Sequence, residues 1–148
     1  MSTASASPIT AALPTRLVAG VLGGLAGGVM FGILMQMMGM MGMVAMLIGS
    51  ESVALGWLVH LFNSALFGAI YAVLFGARAD RLGPGAGLGM CYGVIWWVLG
   101  ALLIMPAWLG MAVFQLNAMA WQSLMGHLIY GLILGVVYAV VRPRMSRG

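Results

Sequence analysis

The chain has 148 residues, of which 64% are hydrophobic and only 5% are charged. Because soluble domains carry about 25% charged residues, this composition excludes a water-soluble globular protein and indicates a chain embedded in a lipid bilayer. The net charge of +4 comes from arginines at the ends of predicted helices. Since these arginines form no stripe, we do not expect nucleic acid to be a partner.

Four uncharged apolar stretches are long enough to cross a membrane, since a span needs roughly 20 apolar residues. They cover residues 17–38, 53–77, 87–105 and 119–141. We expect Pro106 to end the third span, because proline lacks the amide hydrogen and restricts the residue before it. The sequence therefore predicts an all-α, polytopic membrane bundle of four transmembrane helices.

The arginines predict how the chain is oriented in the membrane. Arg16, the turn at 78–81 and the tail after residue 141 share one side if the chain crosses four times, whereas the other two connectors contain no Lys or Arg. The positive-inside rule then predicts an inner-membrane protein with both termini cytoplasmic. We expect each outer connector to form a short interfacial helix, and Tyr71 and Tyr138 to anchor the inner interface.

The chain contains an internal repeat with an offset of 67 residues. The segment that begins at His60 aligns without a gap on the segment that begins at His127 (127 − 60 = 67), and Gly68 aligns on Gly135. Two hairpins that cross in the same sense predict a pseudo-two-fold axis along the membrane normal. The predicted organisation is a flexible tail at 1–15, a first hairpin at 16–77, a cytoplasmic turn at 78–86, a second hairpin at 87–142 and a basic tail at 143–148.

Histidine and small residues share one face of the second span and the matching face of the fourth, at 100° per residue. These six positions are His60, Ser64, Gly68, His127, Gly131 and Gly135. Small residues four apart let helix backbones approach each other in lipid. We therefore predict that the second and fourth spans face each other, with the two imidazoles at equal depth near the axis.

The first span carries a glycine zipper, and at the offset of 67 its Gly20 aligns on Gly87 of the third span. The zipper residues are Gly20, Gly24, Gly28 and Gly32, with Gly23 and Gly27 beside them. The third span is not expected to repeat this pattern. We predict that the first span is central or forms a homodimer contact, and that the third span faces lipid.

The two histidines are the leading candidates for a functional site, because an ionisable residue inside a span is unfavourable unless it has a partner. Imidazoles can be axial ligands of haem b, bind a metal ion, or take part in proton or quinone chemistry. The alternative is that each histidine bonds the backbone and locks the bundle. The candidate cofactor-binding residues are His60, His127, Ser64, Gly68, Gly131 and Gly135.

Methionines cluster at the outer end of the first span, and the second repeat lacks this cluster. Thioethers are soft ligands that suit Cu(I). Met35, Met38 and Met41, together with His60 and His127, are therefore candidate metal ligands at a copper entrance. The alternative is that these methionines fill irregular gaps in the core.

The two acidic residues, Glu51 and Asp80, lie in predicted connectors. The sequence has no phosphate-binding loop, nucleophile elbow or paired carboxylates. We therefore predict a small non-enzymatic integral membrane protein that serves as a subunit or scaffold of a larger membrane complex and carries the paired-histidine site. A haem b electron carrier and a copper-handling protein are the alternatives.

The last span contains the sequence Gly-His-Leu-Ile-Tyr-Gly at residues 126–131. In this respect, and over most of its length, the chain resembles small prokaryotic membrane proteins whose last span carries a Gly-His-Leu-x-Tyr-Gly signature. The resemblance implies a four-span bundle and no particular activity.

Overall fold

The computed structural model describes residues 8–145, and the regular structure within that part of the chain is helical. The helices are α1 (Pro8–Met37), α2 (Met41–Met46), α3 (Val53–Phe75), α4 (Leu82–Trp96), a π-helical segment (Trp97–Ile104), α5 (Met105–Trp108) and α6 (Ala118–Met145). Four stretches are long and apolar enough to span a membrane: Leu13–Met37, Val53–Phe75, Leu82–Trp108 and Ala118–Met145. The predicted all-α bundle is confirmed, and the chain is a membrane protein.

The helix ends differ from the predicted ones at three prolines. Helix α1 begins at Pro8, within the segment predicted as a tail, and α6 continues through Pro143 to Met145. The remainder of both predicted tails, residues 1–7 and 146–148, lies outside the described residues. Pro106 does not end the third span, because it stands in the first turn of α5, where a missing amide hydrogen is tolerated.

A short helix is present in one outer connector, whereas the described backbone of the other is irregular after α5. Helix α2 lies against α3. Residues 109–117 of the second connector follow an irregular path after α5. The amide of Phe114 in this connector donates a hydrogen bond to the carbonyl oxygen of Leu102 at 2.8 Å. That carbonyl stands four residues before Pro106, which has no amide hydrogen to offer it.

The second and fourth spans do not face each other as predicted, because the small face of each packs against the first helix of its own hairpin. A Cβ atom placed on Gly24 of α1 would collide with the carbonyl oxygen of Ser64 and lie 3.0 Å from the Cα atom of Gly68. In the second hairpin, the backbone of Gly89 in α4 is equally close to that of Gly131 in α6. The small residues at these contacts permit the close approach of the helix backbones.

The glycine zipper of α1 is repeated in α4, contrary to the prediction, at an offset of 65 rather than 67 residues. Gly20, Gly24 and Gly28 pack on α3, and Gly85, Gly89 and Gly93 pack on α6 in the same way. The offset changes because the second hairpin contains two more residues between its zipper and its histidine. Gly87, which the offset of 67 aligned on Gly20, is exposed and has no neighbour within 4 Å of a Cβ position among the described residues.

Helix α1 occupies the centre of the bundle, since it packs against both α3 and α6, whereas α4 packs mainly against α6. The bundle has an inner end, at the arginine-containing turn that joins α3 to α4, and an outer end, at α2 and the 109–117 connector. Tyr71 and Tyr138 lie near the inner end but are fully buried, so the prediction that they anchor the interface is wrong. Their hydroxyl groups donate to the backbone carbonyls of Gly85 and Gly76.

Candidate functional site

The contact between α1 and α6 has no counterpart between α4 and α3, although the pseudo-two-fold axis relates these two pairs of helices. Gly23 and Gly27 of α1 face α6, and a Cβ atom on Gly27 would lie 2.6 Å from the carbonyl oxygen of Tyr130. At the offset of 65, the equivalent residues of α4 are Leu88 and Tyr92. These large side chains prevent the close approach that two glycines permit.

Aromatic side chains separate α3 from α4. Phe67 stacks on Trp96 with ring centroids 3.9 Å apart, and Tyr92 donates a hydrogen bond of 2.8 Å from its hydroxyl group to the carbonyl oxygen of Phe67. Tyr71 contacts Tyr92 nearer the inner end. Within the described residues, α3 makes no comparable packing with the π-helical segment on the outer side of Phe67. The two hairpins therefore diverge toward the outer end.

A cavity of about 430 Å³ lies between the diverging helices. Its aromatic wall comes from Phe31, Phe67, Trp96 and Tyr130. Met35, Met40, Met43, Met105, Met111 and Met119 add a flexible apolar surface. The outer connectors cover one end of the cavity, and Trp97 holds the π-helical segment to α6 through a 2.9 Å hydrogen bond to the carbonyl oxygen of Ala120.

The polar groups of the cavity carry no permanent charge. Asn63, Ser64, Gln115, Asn117, Ser123 and Tyr130 line it together with the two histidines. No Asp, Glu, Lys or Arg side chain is among the described residues that line it. The arrangement suits an apolar molecule with a small number of hydrogen-bonding atoms, as in most small-molecule sites.

His60 joins α3 to α1. Its Nε2 atom lies 2.8 Å from the carbonyl oxygen of Gly28, and its side chain is buried. Because a carbonyl oxygen can only accept, we assign the proton of this imidazole to Nε2. Ser64 donates its hydroxyl hydrogen to the backbone carbonyl of His60 at 2.7 Å.

His127 makes its hydrogen bonds within its own helix. Its Nδ1 atom lies 2.8 Å from the carbonyl oxygen of Ser123 and 3.4 Å from the hydroxyl oxygen of the same residue. The carbonyl contact assigns the proton to Nδ1, which leaves a lone pair on Nε2. Within residues 8–145, Nε2 has no hydrogen-bond partner, and the half-buried ring of His127 lines the cavity.

The ring of Phe31 lies between the two histidines, with its centroid 5.5 Å from that of His60 and 4.8 Å from that of His127. The structure therefore brings the imidazoles to one place but separates them by a phenyl ring. Gly126 makes room for this ring, because a Cβ atom there would collide with it. A porphyrin bound by both imidazoles would have to displace Phe31, so haem binding stays a prediction.

The other candidate residues divide into those that hold helices together and those that reach the cavity. Gly68, Gly131 and Gly135 pack against neighbouring helix backbones and do not line the cavity. Of the three proposed copper ligands, Met35 lines it, whereas Met38 and Met41 are absent from its described lining. The described residues contain no group of three or more His, Cys, Asp or Glu side chains that could hold a metal ion.

Sequence reasoning missed Phe31, Asn63, Trp96 and Tyr130. Asn63 had a usable signal, since a carboxamide in the middle of an apolar span calls for a partner. Tyr130 belongs to the Gly-His-Leu-x-Tyr-Gly motif, and its hydroxyl group donates to the carbonyl oxygen of Ser64 at 2.9 Å. The two other aromatic residues could not be assigned to a cavity before the asymmetry between the repeats was visible.

A family model described as a family of unknown function, DUF6789, matches residues 14–147. Because this match covers nearly the whole chain, the protein belongs to that family. No curated protein and no solved structure matches the chain.

Proposed function

We propose that this protein is a non-enzymatic membrane protein that takes one apolar molecule from the surrounding bilayer into the cavity beside Phe31, Phe67 and Trp96. The observation that carries the proposal is the break in pseudo-symmetry. Three of the four neighbouring helix pairs around the bundle are closely packed, and the cavity lies at the fourth, between α3 and α4.

We infer that the cavity is entered from the lipid side of the bundle, beside Asn63. Asn63 lines the cavity and also a shallow groove on the outer surface of α3. The groove residues Leu58 and Phe62 are 65% and 68% exposed, so this surface contacts acyl chains in a membrane. The position of Asn63 therefore supports a route from the bilayer into the cavity that does not cross water.

In this proposed binding role, the two histidines act differently. His60 stabilises the wall of the cavity by bonding α1, whereas His127 lines the cavity and has no hydrogen-bond partner for its Nε2 among the described residues. A subunit or scaffold role, as a homodimer or in a larger complex, is compatible with such a site. Cu(I) binding stays an alternative, although Met38 and Met41, two of its three proposed methionine ligands, do not line the cavity.

The proposal can be tested with a pair of glycine substitutions in the third span. Gly100 lines the cavity, and the nearest atom to a Cβ position there is a Trp96 carbon at 4.0 Å, so a Gly100→Leu side chain has room to enter it. Gly87 is exposed on the lipid-facing side with no neighbour within 4 Å among the described residues. Gly87→Leu is therefore the matched control.

The measurement is photo-crosslinking of the purified full chain in lipid nanodiscs with a diazirine-bearing alkane, followed by peptide mass spectrometry. We expect saturable labelling of cavity residues such as Trp96 and Met119, strongly reduced by Gly100→Leu and unchanged by Gly87→Leu. Labelling that does not saturate, or that falls equally on cavity residues and on exposed Phe62, would overturn the proposal.

A further inference from the structure

We infer that the cavity receives a neutral lipid alcohol, whose hydroxyl group donates a hydrogen bond to Nε2 of His127 and accepts one from the carboxamide of Asn63. This inference rests on the proposed function, since it names the chemical class of the molecule that the cavity takes.

The charge of the lining excludes ionic ligands. A carboxylate, phosphate or ammonium group in the cavity would meet no opposite charge among the described residues that line it. An isolated charge transferred from water to an apolar site is strongly disfavoured. The occupant is therefore neutral.

The depth of the polar groups excludes ordinary membrane lipids held by their head groups. His127 is nine residues from the start of α6 at Ala118, and Asn63 is ten residues from the start of α3 at Val53. At 1.5 Å per residue, both lie roughly 14–15 Å from the outer ends of their helices. This is about half of the 30 Å hydrocarbon thickness, where a single hydroxyl group can be accommodated but a phospholipid head group cannot.

The hydrogen-bonding state of His127 decides between a hydroxyl group and a carbonyl or ether oxygen. Its Nδ1 proton is engaged by the carbonyl oxygen of Ser123, so the neutral ring offers a lone pair at Nε2. A ligand must supply a proton donor to satisfy it. Among neutral lipid groups a hydroxyl does so, whereas an ester, ketone or ether does not.

Asn63 supplies the complementary group. Within the described residues its side chain makes no hydrogen bond, although an unpartnered carboxamide is unfavourable at this depth. It stands where the cavity meets the lipid-facing groove. Its amide hydrogens can bond the oxygen of a hydroxyl group that has entered the cavity.

The cavity volume limits the size of the enclosed part of the ligand. At about 30 Å³ for each water-sized group, 430 Å³ holds on the order of 14 non-hydrogen atoms. Farnesol, an isoprenoid alcohol of similar size, is a suitable probe. Its methyl ether has nearly the same shape but no hydroxyl hydrogen, so it serves as the matched control ligand.

The test measures how well each compound displaces the diazirine-bearing alkane from the wild-type protein in nanodiscs. We expect farnesol to compete at about tenfold lower concentration than its methyl ether, the size of effect expected from one buried hydrogen bond. In His127→Phe the two compounds should compete equally well, because the hydrogen bond that distinguishes them is lost. Asn63→Leu should weaken both compounds, since both oxygens can accept from the carboxamide, whereas Gly87→Leu should leave the wild-type difference unchanged.

The outcomes separate this inference from the proposed function. If both compounds displace the alkane equally well from wild type, the cavity binds apolar molecules but the assignment of a lipid alcohol is wrong. If neither compound competes and Gly100→Leu leaves the labelling unchanged, the proposed function itself fails. The comparison on wild type is decisive even if His127→Phe does not fold.

Discussion

Gly27 and Tyr92 occupy equivalent positions in the two repeats, 65 residues apart (92 − 27 = 65), yet Gly27 brings two helices together and Tyr92 holds two apart. Gly27 lets α1 touch the backbone of α6 at Tyr130. Tyr92 places a ring between α4 and α3 and bonds the carbonyl oxygen of Phe67. Together with Gly23 and its counterpart Leu88, this difference between the copies leaves the cavity between α3 and α4.

Replacing Gly27 by leucine should separate α1 from α6. A Cβ atom at this position would lie 2.6 Å from the carbonyl oxygen of Tyr130, which is backbone and cannot move aside cheaply. Overpacking of this kind costs about 1–3 kcal/mol, and we expect Gly27→Leu to lower the free energy of unfolding by that amount in detergent titrations. Gly87→Leu is the control and should unfold like wild type. Equal stability of the two variants would contradict the assigned contact.

The two histidines should differ in their effect on stability. His60 bonds the backbone of another helix, whereas His127 bonds Ser123 of its own helix. Hydrogen bonds between membrane helices contribute about 0.6 kcal/mol on average and at most about 1.7. We therefore expect His60→Ala to lower the free energy of unfolding by about 0.6–1.7 kcal/mol, and His127→Ala to lower it by less. The reverse order would show that His127, not His60, connects the helices.

We expect glycine to be required at position 126 for the stability of the bundle, because the Phe31 ring packs against it and not because of a local turn. A Cβ atom on Gly126 would collide with the Phe31 ring. We expect Gly126→Val to destabilise the bundle by about 1–3 kcal/mol. In the double variant with Phe31→Ala, the second change should offset part of that loss, because residues in contact are energetically coupled. Additive effects in this double-mutant cycle would show that Gly126 and Phe31 are not energetically coupled, which would contradict the assigned contact.

The predicted orientation can be checked with single cysteines in a Cys91→Ser background. Glu51 in the first outer connector and Ala77 at the inner turn are both exposed. With the arginine-containing side cytoplasmic, a membrane-impermeant maleimide should label Glu51→Cys in spheroplasts and should label Ala77→Cys only after permeabilisation. Labelling in the opposite pattern would invert the topology.

The histidine repeat and the glycine zipper show which parts of the site could be predicted from the sequence and which could not. The offset of 67 between His60 and His127 correctly relates α3 to α6, and the structure places both imidazoles against Phe31. The same offset failed for α1 and α4, because the second hairpin has two additional residues between its zipper and its histidine, which changes the offset to 65. Without that correction, Gly27 could not be paired with Tyr92.

Hydropathy, length and duplication are properties of the linear chain, so they were enough to predict a membrane environment, four spans and two related hairpins. The fold was needed to see which helix faces meet, that the Phe31 ring contacts both imidazoles, and that a cavity remains between α3 and α4. A helix face of small residues shows that the helix can pack closely. It does not show which other helix backbone lies against that face at the matching height. The choice of that partner helix depends on contacts between residues far apart in the chain, and periodicity along one helix does not contain it.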